Sequence, residues 1–204
     1  MQTIEYRTHD KSEWGPGPWQ SEPDKRQWRD EATGLPCLIV RGPSGALCGY
    51  VGVSRGHPCY GKDYDDVTVE VHWGLTFASK CAPEPTREHW EKWRAHAISR
   101  KDEARRFPIG DAARLLKERA KEIADYDAYV VWATGAYICH KVEDGEDDDV
   151  WWFGFDCAHS GDVSPAFENL TRCGLSNRDD TYKDLDYVTR EVESLARQLR
   201  DLSN

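Results

Sequence analysis

Residues 150–162 constrain this chain more than any other stretch. Val150-Trp-Trp-Phe-Gly-Phe-Asp156-Cys-Ala-His159-Ser-Gly-Asp162 opens as an unbroken run of aromatic and β-branched residues and stops abruptly in ionisable ones. A short apolar run of this kind, with an acidic loop before it and Ser-Gly-Asp after it, predicts a strand buried on both faces. Asp156, Cys157, His159 and Asp162 crowd its C-terminal end. A rigid element hands over to a loop there, so the scaffold fixes side chains that the loop leaves accessible.

Further elements follow from pattern. Cys37–Arg41 and Leu47–Val53, joined by Gly42-Pro-Ser-Gly45, read as a hairpin. Val67–Val71 alternates and runs into His72–Phe77, which gives two more strand segments. Tyr137–Val142 and Val150–Phe155 read as a second hairpin. Between these halves, Trp90, Trp93, Ala97 and Ala104 share one helical face that should end near Phe107-Pro108, and Asp111 offers an N-cap for a second helix carrying Ala112, Leu116, Ala120 and Ile123. Leu185, Val188, Val192, Leu195, Leu199 and Leu202 form a heptad-like seam. Its flanks lack alternating charge, which favours docking on a sheet over a coiled coil, with a homodimer as the other reading. Residues 1–35, broken by Gly15-Pro16-Gly17-Pro18, are expected to wrap the domain with Trp14, Trp19 and Trp28 as pegs. The expected fold is therefore α+β: a largely antiparallel sheet of five or six strands, an inserted helical pair and an amphipathic C-terminal helix packed on the sheet. It is read as one domain, with residues 1–83 and 128–204 supplying the two halves of the sheet and 84–127 the helical insertion.

Composition narrows function by exclusion. A net charge of −10 disfavours sequence-independent binding to nucleic-acid polymers, which needs cations on phosphates. It leaves room for an acidic inhibitor that competes for a basic site on another protein. Seven cysteines, a polar N-terminal stretch and no apolar run of membrane-spanning length point to a cytoplasmic protein with reduced thiols and no membrane contact. Nine Trp and nine Tyr are many for this length; several Trp should anchor the core, and such a surplus is also what a stacking pocket for a flat ligand would use.

Gly49-Tyr-Val-Gly-Val53, Gly56-His-Pro58, Tyr60-Gly-Lys-Asp-Tyr-Asp-Asp66, Val71-His-Trp-Gly-Leu-Thr-Phe77, Ile138-Cys-His140 and the 151–162 block follow one another along the chain. This succession resembles the blocks of an uncharacterised family of small proteins from bacteriophages, prophages and plasmids. The resemblance covers residues 14–81, 136–165 and the Asp184–Leu199 helix. It implies an accessory-genome setting, where counter-defence proteins are common, and it carries over no catalytic residue.

The chemistry-bearing residues support two main readings. In one, the glycine-punctuated Gly56–Asp66 loop forms a pocket for a small phosphate-bearing ligand such as a nucleotide-derived defence signal. Arg55, His57, Lys62 and Asp63 supply polar contacts, Tyr64, Trp73 and Trp152 stack on a base, and Asp162 completes the site. In the other, His72 and His159 with Asp156 act as acid–base groups of a phosphodiesterase-like hydrolase. His72, His159, Asp156 and the Gly56–Asp66 loop are expected to cluster in either case. Cys157 beside His159 and Asp162 lacks the distant partners of a nucleophilic triad. Zinc binding through Cys157, His159, Cys139 and His140, with Cys59 or Cys81, lacks the usual Cys-x2–4-Cys spacing. No metal or cofactor is therefore assigned.

Overall fold

A computed structural model describes residues 3–80, 86–99, 126–127, 140, 149–167 and 180–203. Among these residues six strands form one sheet: β1 (Ile4–Tyr6), β2 (Lys25–Arg29), β3 (Pro36–Arg41), β4 (Leu47–Ser54), β5 (Phe77–Lys80) and β6 (Val150–Asp156). The strand order is β1-β2-β3-β4-β6-β5, and every neighbouring pair is antiparallel. Two α-helices are described, α1 (Arg87–Ser99) and α2 (Leu185–Asp201), and α2 packs across β3 and β4. The fold is α+β, as the pattern of apolar residues indicated. No helix among the described residues is long and apolar enough to cross a membrane.

β6 runs between β4 and β5, with Val51 opposite Phe153 on one side and Ala78 opposite it on the other. Alternate residues then meet two different cores. Phe153 and Phe155 join Ile39, Leu47, Val51 and Val53 under α2, while Val150 and Trp152 join Leu38, Val40 and Tyr50 on the opposite surface. This two-sided burial is why the sequence of β6 shows no polar alternation. Gly49 permits the closest approach of helix to sheet: a Cβ there would lie 2.5 Å from both Phe155 and Val192.

The α2 seam is consumed within the chain. Leu185, Val188, Val192, Leu195 and Leu199 are all buried, and only Leu202 is exposed. Asp184 caps the helix by accepting the Tyr187 N–H at 2.8 Å, meeting one of the donors that a helix start leaves free.

Two expectations need correction. Residues 1–35 do more than wrap the domain, since β1 and β2 extend the sheet beyond β3; Trp14 and Trp19 are buried, and Trp28 lies within β2. Val67–Val71 is not a strand. It lies along α2, where the Glu70 N–H donates to Gln198 at 2.7 Å, and the sheet resumes only at Phe77. The alternation of Val67, Val69 and Val71 marks contact with the core under α2, which imitates a strand pattern. Tyr137–Val142 apart from His140, and the second helix of the insertion, lie outside the described residues.

The N-terminal strands are tied to the rest by buried charge. Asp24 accepts the backbone N–H groups of Thr8 and His9 at 2.6 and 2.8 Å, and it pairs with Lys11 at 2.7 Å and with Arg41 at 3.1 Å. Arg41 also reaches Glu22 at 2.9 Å, and Glu22 accepts the Leu185 N–H at the start of α2, also at 2.9 Å.

Candidate functional site

Three segments converge at the C-terminal end of β6. The chain from Val67 reaches a turn at His72 and Trp73, β6 delivers Asp156 and continues to His159 and Asp162, and α2 presents Tyr187 and Glu191. Gly161, at φ 94°, takes the left-handed conformation that turns Asp162 back toward the sheet. A bridge between Asp162 and Thr181 fixes this return.

Asp162 is the centre of the arrangement, with a side chain only 2% exposed. Its Oδ2 lies 2.8 Å from His72 Nε2 and accepts the His159 backbone N–H at 3.0 Å. Its Oδ1 lies 3.6 Å from Lys183 Nζ. The second nitrogen of His72, Nδ1, is 2.9 Å from the Tyr187 hydroxyl, and the His72 backbone N–H donates to Glu191 at 2.9 Å. His72 is therefore held at both ring nitrogens and at its backbone. His159 is different. Its Nδ1 is shielded from solvent without a hydrogen-bond partner, 3.6 Å from Asp156 Oδ1 and 3.9 Å from Asp162 Oδ2. Asp156 is positioned by the Thr76 hydroxyl at 3.1 Å and the Ala158 N–H at 3.1 Å.

Trp73 roofs this cluster. Its ring stacks on His159 with centroids 5.6 Å apart and planes 16° from parallel, yet the residue is 65% exposed. Its φ of 54° is the only left-handed value at a non-glycine position among the described residues. A bulky side chain there costs roughly 1–3 kcal/mol, and such strain persists where the surroundings fix it, often at functional sites.

Of the sequence-derived candidates, the structure brings together His72, His159, Asp156, Asp162 and Trp73. It does not bring Arg55, His57, Lys62, Asp63 or Tyr64 to them. That loop packs at the other end of β6: Arg55, Tyr60 and Lys80 all contact Asp149, and the Lys62 carbonyl accepts the Trp151 indole N–H at 3.0 Å. His57 Nε2 lies 2.9 Å from the Leu199 carbonyl oxygen, and Asp63 caps the short helical turn that begins at Tyr64. The length of β6 separates the two ends by about 20 Å. Trp152 is wholly buried on the far side of the sheet against His140, with centroids 5.2 Å apart, away from the Trp73 cluster.

Cys157 is a core residue. Burial, reinforced by nearby Cys48, Asp162 and Asp156, pushes its thiol far above the ordinary range, and burial likewise pushes Cys48 up to about 12. Neither is a thiolate nucleophile near neutral pH. With Cys157 in the core and His140 against Trp152, the cysteine-based zinc set is not assembled among the described residues.

Tyr187, Glu191 and Lys183 were not foreseen. Tyr187 and Glu191 stand one helical turn apart beside the apolar seam, a spacing that gives them a common side. That was the available signal, though it named no partner. Comparison with known protein families, curated proteins and solved structures finds no match.

Proposed function

We propose that the chain is a phage-type accessory protein that binds and sequesters a small nucleotide-derived ligand, such as a host defence signal, on the face roofed by Trp73. The single observation that carries this reading is an exposed indole held in a strained backbone conformation and braced from below by His159. A stacking platform of this kind gains from a second flat ring on its free face. Lys183, beside Asp162 and over the Tyr187 ring, takes the anion-contacting role that the sequence had suggested for Arg55 and Lys62. The accessory-genome setting rests on the block resemblance.

In equilibrium dialysis against a panel of cyclic and linear nucleotides, Trp73→Ala should weaken binding by about 1–3 kcal/mol, the contribution of one stacked base. Its folding stability should move by less than about 1 kcal/mol, as for an exposed side chain. Lys183→Met should also weaken binding, whereas Lys62→Ala should not. Unchanged affinity in both Trp73→Ala and Lys183→Met sinks the proposal.

A hydrolase is the second reading, favoured by the unpartnered His159 Nδ1 between two carboxylates. Since both ring nitrogens of His72 are engaged, proton transfer would fall to His159. Heat denaturation after incubation, followed by chromatography, separates the readings: intact nucleotide means a binder, and new products mean an enzyme that His159→Ala should inactivate.

A further inference from the structure

The strongest unexplained feature is the set of ligand atoms beneath Trp73. One nitrogen each from His72 and His159 and one oxygen of Asp162 all lie within 4.8 Å of one another. We infer that these three residues form a binding site for a divalent transition-metal ion, with Asp156 as a neighbouring fourth donor. This inference stands independently of the ring-ligand reading.

Two imidazoles and a carboxylate suit borderline ions such as zinc or cobalt better than magnesium or calcium, which prefer oxygen. A metal 2.0–2.2 Å from each donor holds neighbouring donors roughly 3–3.5 Å apart. His72 Nε2 and Asp162 Oδ2 are 2.8 Å apart, while His159 Nδ1 lies 3.6 Å from Asp156 and 3.9 Å from Asp162. The first spacing is short and the others long for a shared ion, and the His72 and His159 nitrogens lie within 4.8 Å of each other, so the side chains must shift to close around one. The shielded His159 Nδ1 has no hydrogen-bond partner, so the neutral ring protonated at Nε2 can turn its Nδ1 lone pair to an ion. The surroundings also match a metal site, where a ligating histidine usually donates its second ring N–H to a nearby acceptor. If His72 binds metal through Nε2, Nδ1 carries that proton and the Tyr187 hydroxyl accepts it at 2.9 Å. Lys183 is the opposing element, because its ammonium 3.6 Å from Asp162 repels a second cation.

The test is titration of the full-length protein with cobalt(II), read by its visible ligand-field bands and by dialysis. Binding of a single cobalt per chain is expected, with a nitrogen/oxygen spectrum and no thiolate charge-transfer band. His72→Gln, His159→Gln and Asp162→Asn should each weaken binding at least 10-fold, and Tyr187→Phe, which removes only the supporting acceptor, about 10-fold. Lys183→Met should instead tighten cobalt binding several-fold, by removing a like charge. That gain cannot come from misfolding, and it is opposite in sign to the loss of nucleotide binding expected of the same variant. No binding at millimolar cobalt, a thiolate spectrum, or affinity indifferent to both Asp162→Asn and Lys183→Met overturns the inference.

Discussion

Replacing Asp24 with asparagine is expected to destabilise the fold by about 3–5 kcal/mol in urea denaturation near neutral pH, because the loss of one partner strands the others of a buried ionic cluster. Arg41 has a fully buried side chain and Lys11 a nearly buried one, and each faces Asp24 directly. Burial alone would raise the Asp24 carboxyl. The His9 imidazole, the Lys11 ammonium and the His9 backbone N–H outweigh it and hold the carboxyl well below its usual range. At Lys11 the balance runs the other way: burial outweighs the pull of Asp24, and the ammonium sits below its ordinary range. The cluster therefore gives more to geometry than to net energy, and its removal is costly mainly through what it leaves unpaired. The pH dependence has a definite sign. A depressed carboxyl contributes stability that is fully present above the unfolded-state value of about 4 and is lost as pH falls toward the folded value. The wild-type protein should lose stability as pH drops below about 4, and the Asp24→Asn variant should show a shallower slope in that window. Equal slopes would remove Asp24 from the account.

Leu195→Ala should cost about 2–5 kcal/mol in the same assay, the range for truncating a large aliphatic residue in a packed core. Leu195 is completely buried on the sheet-facing side of α2. Leu202, the next seam position but one and exposed, should give a change within about 0.5 kcal/mol when truncated. Similar effects at both positions would mean that the seam meets something besides its own sheet.

The sequence carried the architecture well where burial leaves a periodic trace. The α2 seam, the β3–β4 hairpin and the continuous apolar run of β6 each state their environment in their own residues. Val67–Val71 misled because alternate packing against a helix leaves the same trace as alternate packing in a sheet. The site was partly legible. His72, Trp73, His159 and Asp162 stand out as polar or aromatic residues at the ends of apolar runs, and they do meet. The Gly56–Asp66 loop was misplaced because the order of residues does not reveal which end of a strand a loop returns to. Tyr187, Glu191 and Lys183 were hidden because an amphipathic helix carries many polar residues, and only the fold selects which of them face His72.

The place of β6 also bears on how the chain assembles. Among the described residues, β5 is hydrogen-bonded only to β6, and β6 reaches the earlier strands only through β4, with Cys48 opposite Asp156 and Ser54 opposite Val150. The β2–β3–β4 meander can form from local contacts, yet among the described strands β5 has no partner until β6, far along the chain, returns to β4. Closing so long a loop costs entropy before any contact rewards it, which places folding in the slower, topology-limited regime. It also links the two strands in the native state. An opening that frees β6 releases β5 with it, so the amides of Phe77–Lys80 should exchange with solvent at least as fast as those of β6, whereas the β3–β4 ladder can outlast both.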